Sequence, residues 1–136
     1  MKSRIVVAAL IKKGNKYLFG RKLKNVGPYP NTNIVIGGGA RLDSETIETA
    51  IKREIKEETN IIIKNLKKVT FDEDYEPNKN NEMTHYIFLI YSAEYKSGKP
   101  SPGDDVDQLL WIEKKDFKKI KFSRPTVKLF KELKWL

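Results

Sequence analysis

The chain has 136 residues, a formal net charge of +9, 33% charged residues and 39% hydrophobic residues, which suits one domain with a real core, read here as 1–136. It has no cysteine, so disulfide frameworks, thiolate metal sites and cysteine nucleophiles are excluded. The basic balance favours polyanions such as nucleotides, phosphosugars or RNA, or it serves solubility alone. Its lysines lack the interleaved aromatics of a dedicated RNA surface.

The opening MKSRIVVAAL carries two positive charges before an apolar run, but Lys12 and Lys13 stop that run and no cleavage pattern follows. We therefore read 4–12 as a central strand of a cytoplasmic protein, rich in β-branched residues. No apolar run is long enough to cross a bilayer. Gly14-Asn15 makes a turn, and 16–20 (KYLFG) is a second strand, with Arg21-Lys22 at its end. Residues 23–33 hold GPYPNTN and read as a loop. Its Tyr29 has a ring that either stacks on a base or pins the loop to the body. A short strand, 34–36, feeds Gly37-Gly38-Gly39, read as a loop whose missing Cβ atoms let backbone approach a metal or phosphate.

A helix of about four turns follows, with Asp43 or Ser44 as its cap and Asn60 at its end. At roughly 100° per residue, Glu57 and Glu58 flank Glu54 by about 60° and 40°. The three acids share a sector with Ile47, Ala50 and Ile51, while Lys52 and Lys56 point away. Three carboxylates converging on a half-buried face repel one another at the negative end of the helix dipole. A hard divalent cation removes that cost, and Mg²⁺ or Mn²⁺ suits oxygen ligands best. The bland alternative, a solvated charged face, does not explain why the acids continue the apolar stripe.

Residues 61–75 read as one long strand or two, with a bend at Asn65. Asp72, Glu73, Asp74 and Glu76 make an acidic patch, either an extra metal ligand or a solvated strand end. Segment 84–95 is the most hydrophobic and belongs in the core. It begins beside the sole histidine, His85, a packing residue or a substrate contact. After the loop 96–103, three acids (Asp104, Asp105, Asp107) precede a strand at 109–113 carrying Trp111. A short helix at 113–120 and a last helix from Ser123 to about 134 complete the chain. Pro125 falls in the first turn of the last helix.

Gly39, Glu45 after five residues, and Arg53-Glu54-Ile55-Lys56-Glu57-Glu58-Thr59-Asn60-Ile61 after seven more resemble the Nudix box GX5EX7REUXEEXGU, with Asn60 in place of the last glycine. The resemblance implies a Nudix-like α/β/α sandwich with a mixed sheet between helices. It also implies Mg²⁺-dependent hydrolysis of a nucleoside diphosphate linked to a further group. A nucleoside triphosphate or oxidised nucleotide comes first, a nucleotide sugar or ADP-ribose second, and a non-catalytic nucleotide- or RNA-binding module is the reading from another class.

By the same resemblance the metal ligands are the Gly39 carbonyl, Glu54, Glu57 and Glu58. Asp105 is our choice of general base in the loop before Trp111, with Glu57 as the alternative. Arg53 joins the catalytic set, and Glu45 pairs with it to orient loop against helix. Arg21 (or Lys22), Gly38, Tyr29 and His85 are the expected substrate contacts. The aromatic residue and proline common before the glycines in the family are absent here. Homodimers are common in the family, and neither the edge strands nor the last helix decides the matter.

Overall fold

The computed structural model describes residues 1–23, 25 and 27–136, so Lys24 and Val26 of the expected 23–33 loop lie outside the described residues. Six strands form one sheet: β1 (Lys2–Lys13), β2 (Lys16–Lys22), β3 (Asn33–Gly39), β4 (Ile62–Pro77), β5 (Met83–Ser97) and β6 (Val106–Glu113). Their spatial order is β4-β5-β1-β3-β2-β6, with β1 parallel to β5 and the other neighbours antiparallel. Helix α1 (Ile47–Thr59) follows β3, and a 3-10 turn (Lys114–Lys119) leads into α2 (Arg124–Glu132).

Strand β1 explains the layers. Its side chains alternate between faces. Val7, Ala9 and Ile11 pack with Ala50, Ile51 and Ile55 of α1. Ala8 and Leu10 pack with Phe117, Phe122, Leu129 and Phe130 on the α2 side. A strand covered on both faces must be apolar throughout its middle, as VVAALI is. The mixed α/β/α sandwich is thus the observed architecture. No helix among the described residues is long and apolar enough to cross a membrane.

Three local expectations change. The cap of α1 is Thr46, whose hydroxyl accepts from the Thr49 N–H at 3.2 Å, not Asp43 or Ser44. Residues 41–45 make their own turn instead: Ser44 and Glu45 N–H groups donate to the Arg41 carbonyl. The three glycines are not a loop but the paired end of β3, Gly37 opposite Ala8, Gly38 opposite Val7 and Gly39 opposite Val6. Close packing requires them there, because an added methyl would overlap the Val7 carbonyl at Gly37 and the Glu54 carboxylate at Gly38. The short helix before α2 is 3-10.

Other features match. Asn60 ends α1 in the left-handed region at φ 60°, its N–H donating to the Lys56 carbonyl. Asn65 bends β4 at φ 56°, where the register with β5 shifts.

Candidate active site

Arg53 is the organising side chain. Its guanidinium holds both oxygens of Glu45 (2.9 and 2.6 Å), Glu54 at 2.8 Å, Glu57 at 3.2 Å and the Gly39 carbonyl at 3.1 Å. Glu45 in turn accepts from the Arg41 N–H at 2.9 Å. The Arg53 bond is the main reason the Glu45 carboxyl falls to about 2. The planar fork of arginine thus ties the strand end to the helix and sets two acids of α1 in place.

The acids of α1 differ in setting. Glu57 is the most open, while Glu54 and Glu58 are buried. Burial raises the Glu54 carboxyl despite the opposing Arg53 charge. Burial, then the Glu54 charge, pushes the Glu58 carboxyl up to about 8. Glu58 Oε2 is buried without a hydrogen-bond partner among the described residues.

A fourth acid arrives from the β5–β6 connection. The last carbonyls of a helix lack partners inside it. Here the Ser101 and Gly103 N–H groups donate to the Thr59 and Glu58 carbonyls, both at 2.9 Å. Gly103 is needed because a Cβ would strike the Glu57 carbonyl. This clamp delivers Asp104, and carboxylate oxygens of Glu54, Glu57 and Asp104 lie within 4.8 Å of one another. Three such oxygens, with the unpartnered Glu58 oxygen on the same helix, fit a hard divalent cation.

A cavity of about 790 Å³ runs from these acids across the α2 side of the sheet. That size suits a nucleotide-scale ligand. Gly37, Gly38 and Gly39 line it beside the acids, and Val6, Ala8, Tyr86, Phe88 and Ile90 line the sheet beyond them. Arg4, Lys22 and Lys79 supply positive charge.

The expected site residues separate into two groups. Gly38, Gly39, Glu54, Glu57, Glu58 and Tyr29 line this cavity, and Arg53 braces it. The Gly39 carbonyl expected as a ligand is engaged by Arg53. Tyr29 is pinned. Its hydroxyl donates to Asp74 at 2.7 Å and its N–H to Glu76 at 3.1 Å, and only its ring is offered to a ligand.

Arg21 turns away from the cavity into a bidentate pair with Asp107, at 3.0 and 3.1 Å. Successive strand residues face opposite ways, and a bulge at Arg21/Lys22 sets the change, so Lys22 is the cation that lines the cavity. Burial lowers the Lys22 amine, against the opposing pull of Asp105.

Asp105, the base expected from the sequence, is engaged by two lysines. It is bonded to Lys79 at 2.6 Å and paired with Lys22 at 3.8 Å. Burial works to raise its carboxyl, but those two lysines leave it below its ordinary value. His85 stacks on Tyr75 at 4.6 Å and bonds Glu73 at 2.7 Å, and it is not among the cavity-lining residues. The acidic patch adds nothing to the metal cluster among the described residues. Asp74 and Glu76 hold Arg124 as well as Tyr29, and Asp72 pairs with Lys128.

A family model described as NUDIX domain matches residues 1–133. The chain is similar to the nucleoside triphosphatase NudI of Klebsiella pneumoniae, 27% identical over 124 residues, 87% of each protein. It is also similar to an ADP-ribose pyrophosphatase of Methanocaldococcus jannaschii, 28% identical over 125 residues, 90% of this chain and 69% of that one. Among solved structures, a MutT NUDIX hydrolase from Burkholderia pseudomallei matches with a TM-score of 0.81 at 21% identity, over 96% of this chain and 98% of that one. The NUDIX domain of Shewanella oneidensis NrtR, complexed with ADP ribose, matches at 0.76 and 12% identity, over 98% and 88%. At these identities the two solved structures establish a common fold.

Proposed function

The chain belongs to the NUDIX family and is a hydrolase of nucleotide pyrophosphate bonds, and from that premise we propose that it cleaves nucleoside triphosphates to the monophosphate and pyrophosphate, with Mg²⁺ as its cation and Mn²⁺ as a substitute. The observation that carries this reading is the meeting of Glu54, Glu57 and Asp104 at one end of a nucleotide-sized cavity. The likeness to a nucleoside triphosphatase along most of both chains supports the substrate class.

A cation held by Glu54, Glu57, Glu58 and Asp104 would neutralise phosphate oxygens and acidify a water. The remaining work belongs to the chain itself. Arg53 keeps Glu54 and Glu57 in place without side-chain search. Glu57, more open than Glu54 and Glu58, accepts the proton of the attacking water. Lys22, Lys79 and Arg4 hold the departing phosphates. Residues 1–136 act as one cytoplasmic domain on a small nucleotide.

The likeness to an ADP-ribose pyrophosphatase favours one second reading, hydrolysis of ADP-ribose in the same cavity. A panel of nucleoside triphosphates, nucleotide sugars and ADP-ribose with Mg²⁺, read by chromatography of the nucleoside monophosphate and its co-product (pyrophosphate, a sugar phosphate or ribose 5-phosphate), separates the two. Turnover of triphosphates to pyrophosphate is expected, with a Glu54→Gln control inactive. Exclusive turnover of ADP-ribose would replace the first reading, and a fully active control would refute the metal assignment.

A further inference from the structure

Asp72 is a buried carboxylate on β4 that the hydrolytic chemistry does not use. Its side chain is 10% exposed, and Lys128 takes Oδ1 at 2.6 Å. Oδ2 is buried with no hydrogen-bond partner among the described residues, although Asp72 lines the cavity. A buried acceptor left unsatisfied is costly, and the cost is recovered when a donor meets it.

The strand registers say where this acceptor lies. Asp72 is opposite Phe88, Phe88 opposite Val6, and Val6 opposite Gly39. These four residues form one row across the sheet, and Asp72 is three strand spacings, about 14 Å, from the glycines beside the acids. The row between them is apolar, Phe88 and Val6, with Leu129 of α2 also lining the cavity. A nucleotide whose phosphates meet Glu54 and Glu57 would lay its base along this apolar stretch and bring the base edge to Asp72.

Resting on the triphosphatase reading, we propose that Asp72 determines base specificity, Oδ2 accepting a hydrogen bond from the exocyclic amino group of cytosine, adenine or guanine. A carboxylate offers acceptors only, so it favours an amino edge and leaves a keto oxygen facing a negative charge. Sites built around a buried polar group reject analogues that leave it unpaired. One other group competes for Oδ2. Glu132 on α2 has a carboxyl raised by burial and by Asp72, so a proton shared between the two acids is the rival arrangement.

The test compares CTP with UTP and ATP with ITP, pairs that exchange an amino group for a keto group. Activity is read as kcat/KM, and binding as the dissociation constants of the α,β-imido analogues, which resist cleavage. The wild type should prefer the amino member about tenfold or more in both readouts. Asp72→Asn, whose amide both donates and accepts, should lower that ratio at least tenfold or invert it, acting mainly on KM. Glu132→Gln should leave the ratio unchanged. An Asp72→Asn protein with the wild-type ratio, an equal loss on all four nucleotides, or a Glu132→Gln protein that loses the preference would each overturn the assignment. The analogues report on Asp72 even if no triphosphate is hydrolysed, so failure of the proposed reaction is separable from failure of this inference. No binding of any analogue would overturn both.

Discussion

The two ends of the cavity are built in opposite ways. The acid end rests mainly on one helix, where helical spacing brings Arg53, Glu54, Glu57 and Glu58 together, and the β5–β6 connection adds only Asp104. The far end is assembled across the sheet, where Asp72, Phe88 and Val6 come from three strands far apart in the chain. The first arrangement is local, and every member is charged or touches a charge. The second is long-range, and its acid, Asp72, is paired with Lys128 at the edge of an apolar row. Reaction chemistry and substrate choice are thereby placed on separate elements, and substitutions at the two ends should have different signatures.

The largest effect is expected at the acid end. Glu58→Gln should lower kcat about a thousandfold with the fold intact, since a cation ligand contributes several kcal/mol to the barrier. The metal-free variant should be more stable than the wild type at pH 8, because a buried charge is gone. Activity within tenfold of wild type would break the comparison. Arg53→Lys should follow at about a hundredfold, since an ammonium cannot reproduce the fork that spans Glu45, Glu54 and the Gly39 carbonyl. It should also cost about 2 kcal/mol in denaturant unfolding.

The adjacent pair in the β5–β6 connection sharpens the contrast. Asp104→Asn should reduce kcat about thirtyfold through the metal cluster. Asp105→Asn should change mainly KM, by about threefold, because it frees Lys22 and Lys79 without touching the acids. Equal losses in the two variants would show that the neighbours share one role.

The smallest effect is thermal. Folding raises the Glu58 carboxyl from its ordinary 4.5 to about 8, so the folded protein binds the extra proton in that interval. The associated stability is complete below about pH 4.5 and is lost as pH rises through 8. The metal-free Tm should therefore fall between pH 5 and 8, by about 5–10 °C, and Glu58→Gln should flatten the slope. An equally steep slope in the variant would assign it to other groups.

This division also explains what the sequence made legible. The acid face of α1 could be read because helical periodicity needs no knowledge of distant residues, and Asn60 could be read because its left-handed cap is a local preference. The cap at Thr46 could not, because residues 41–45 close a turn of their own on the Arg41 carbonyl and carry Asp43 and Ser44 away from the helix start. The choice among Asp104, Asp105 and Asp107 turned on side-chain direction in an irregular loop, where Asp104 has φ 50°. Gly103 directly before it was the available signal, since a glycine beside an acid marks close backbone approach. Arg21 and Lys22 were adjacent cations until a bulge gave one to Asp107 and the other to the cavity. Asp72 looked like one member of an exposed acidic patch. Its row with Gly39 emerges only from the pairing of four strands.

The central claim is that the acids of α1 and Asp104 together grip a divalent cation. Calorimetric titration of chelator-stripped protein with Mn²⁺, for wild type, Glu54→Gln and Asp104→Asn, tests it most directly. Saturable binding is expected for the wild type, and at least tenfold weaker binding for each variant. Equal Mn²⁺ affinity in all three proteins would contradict it.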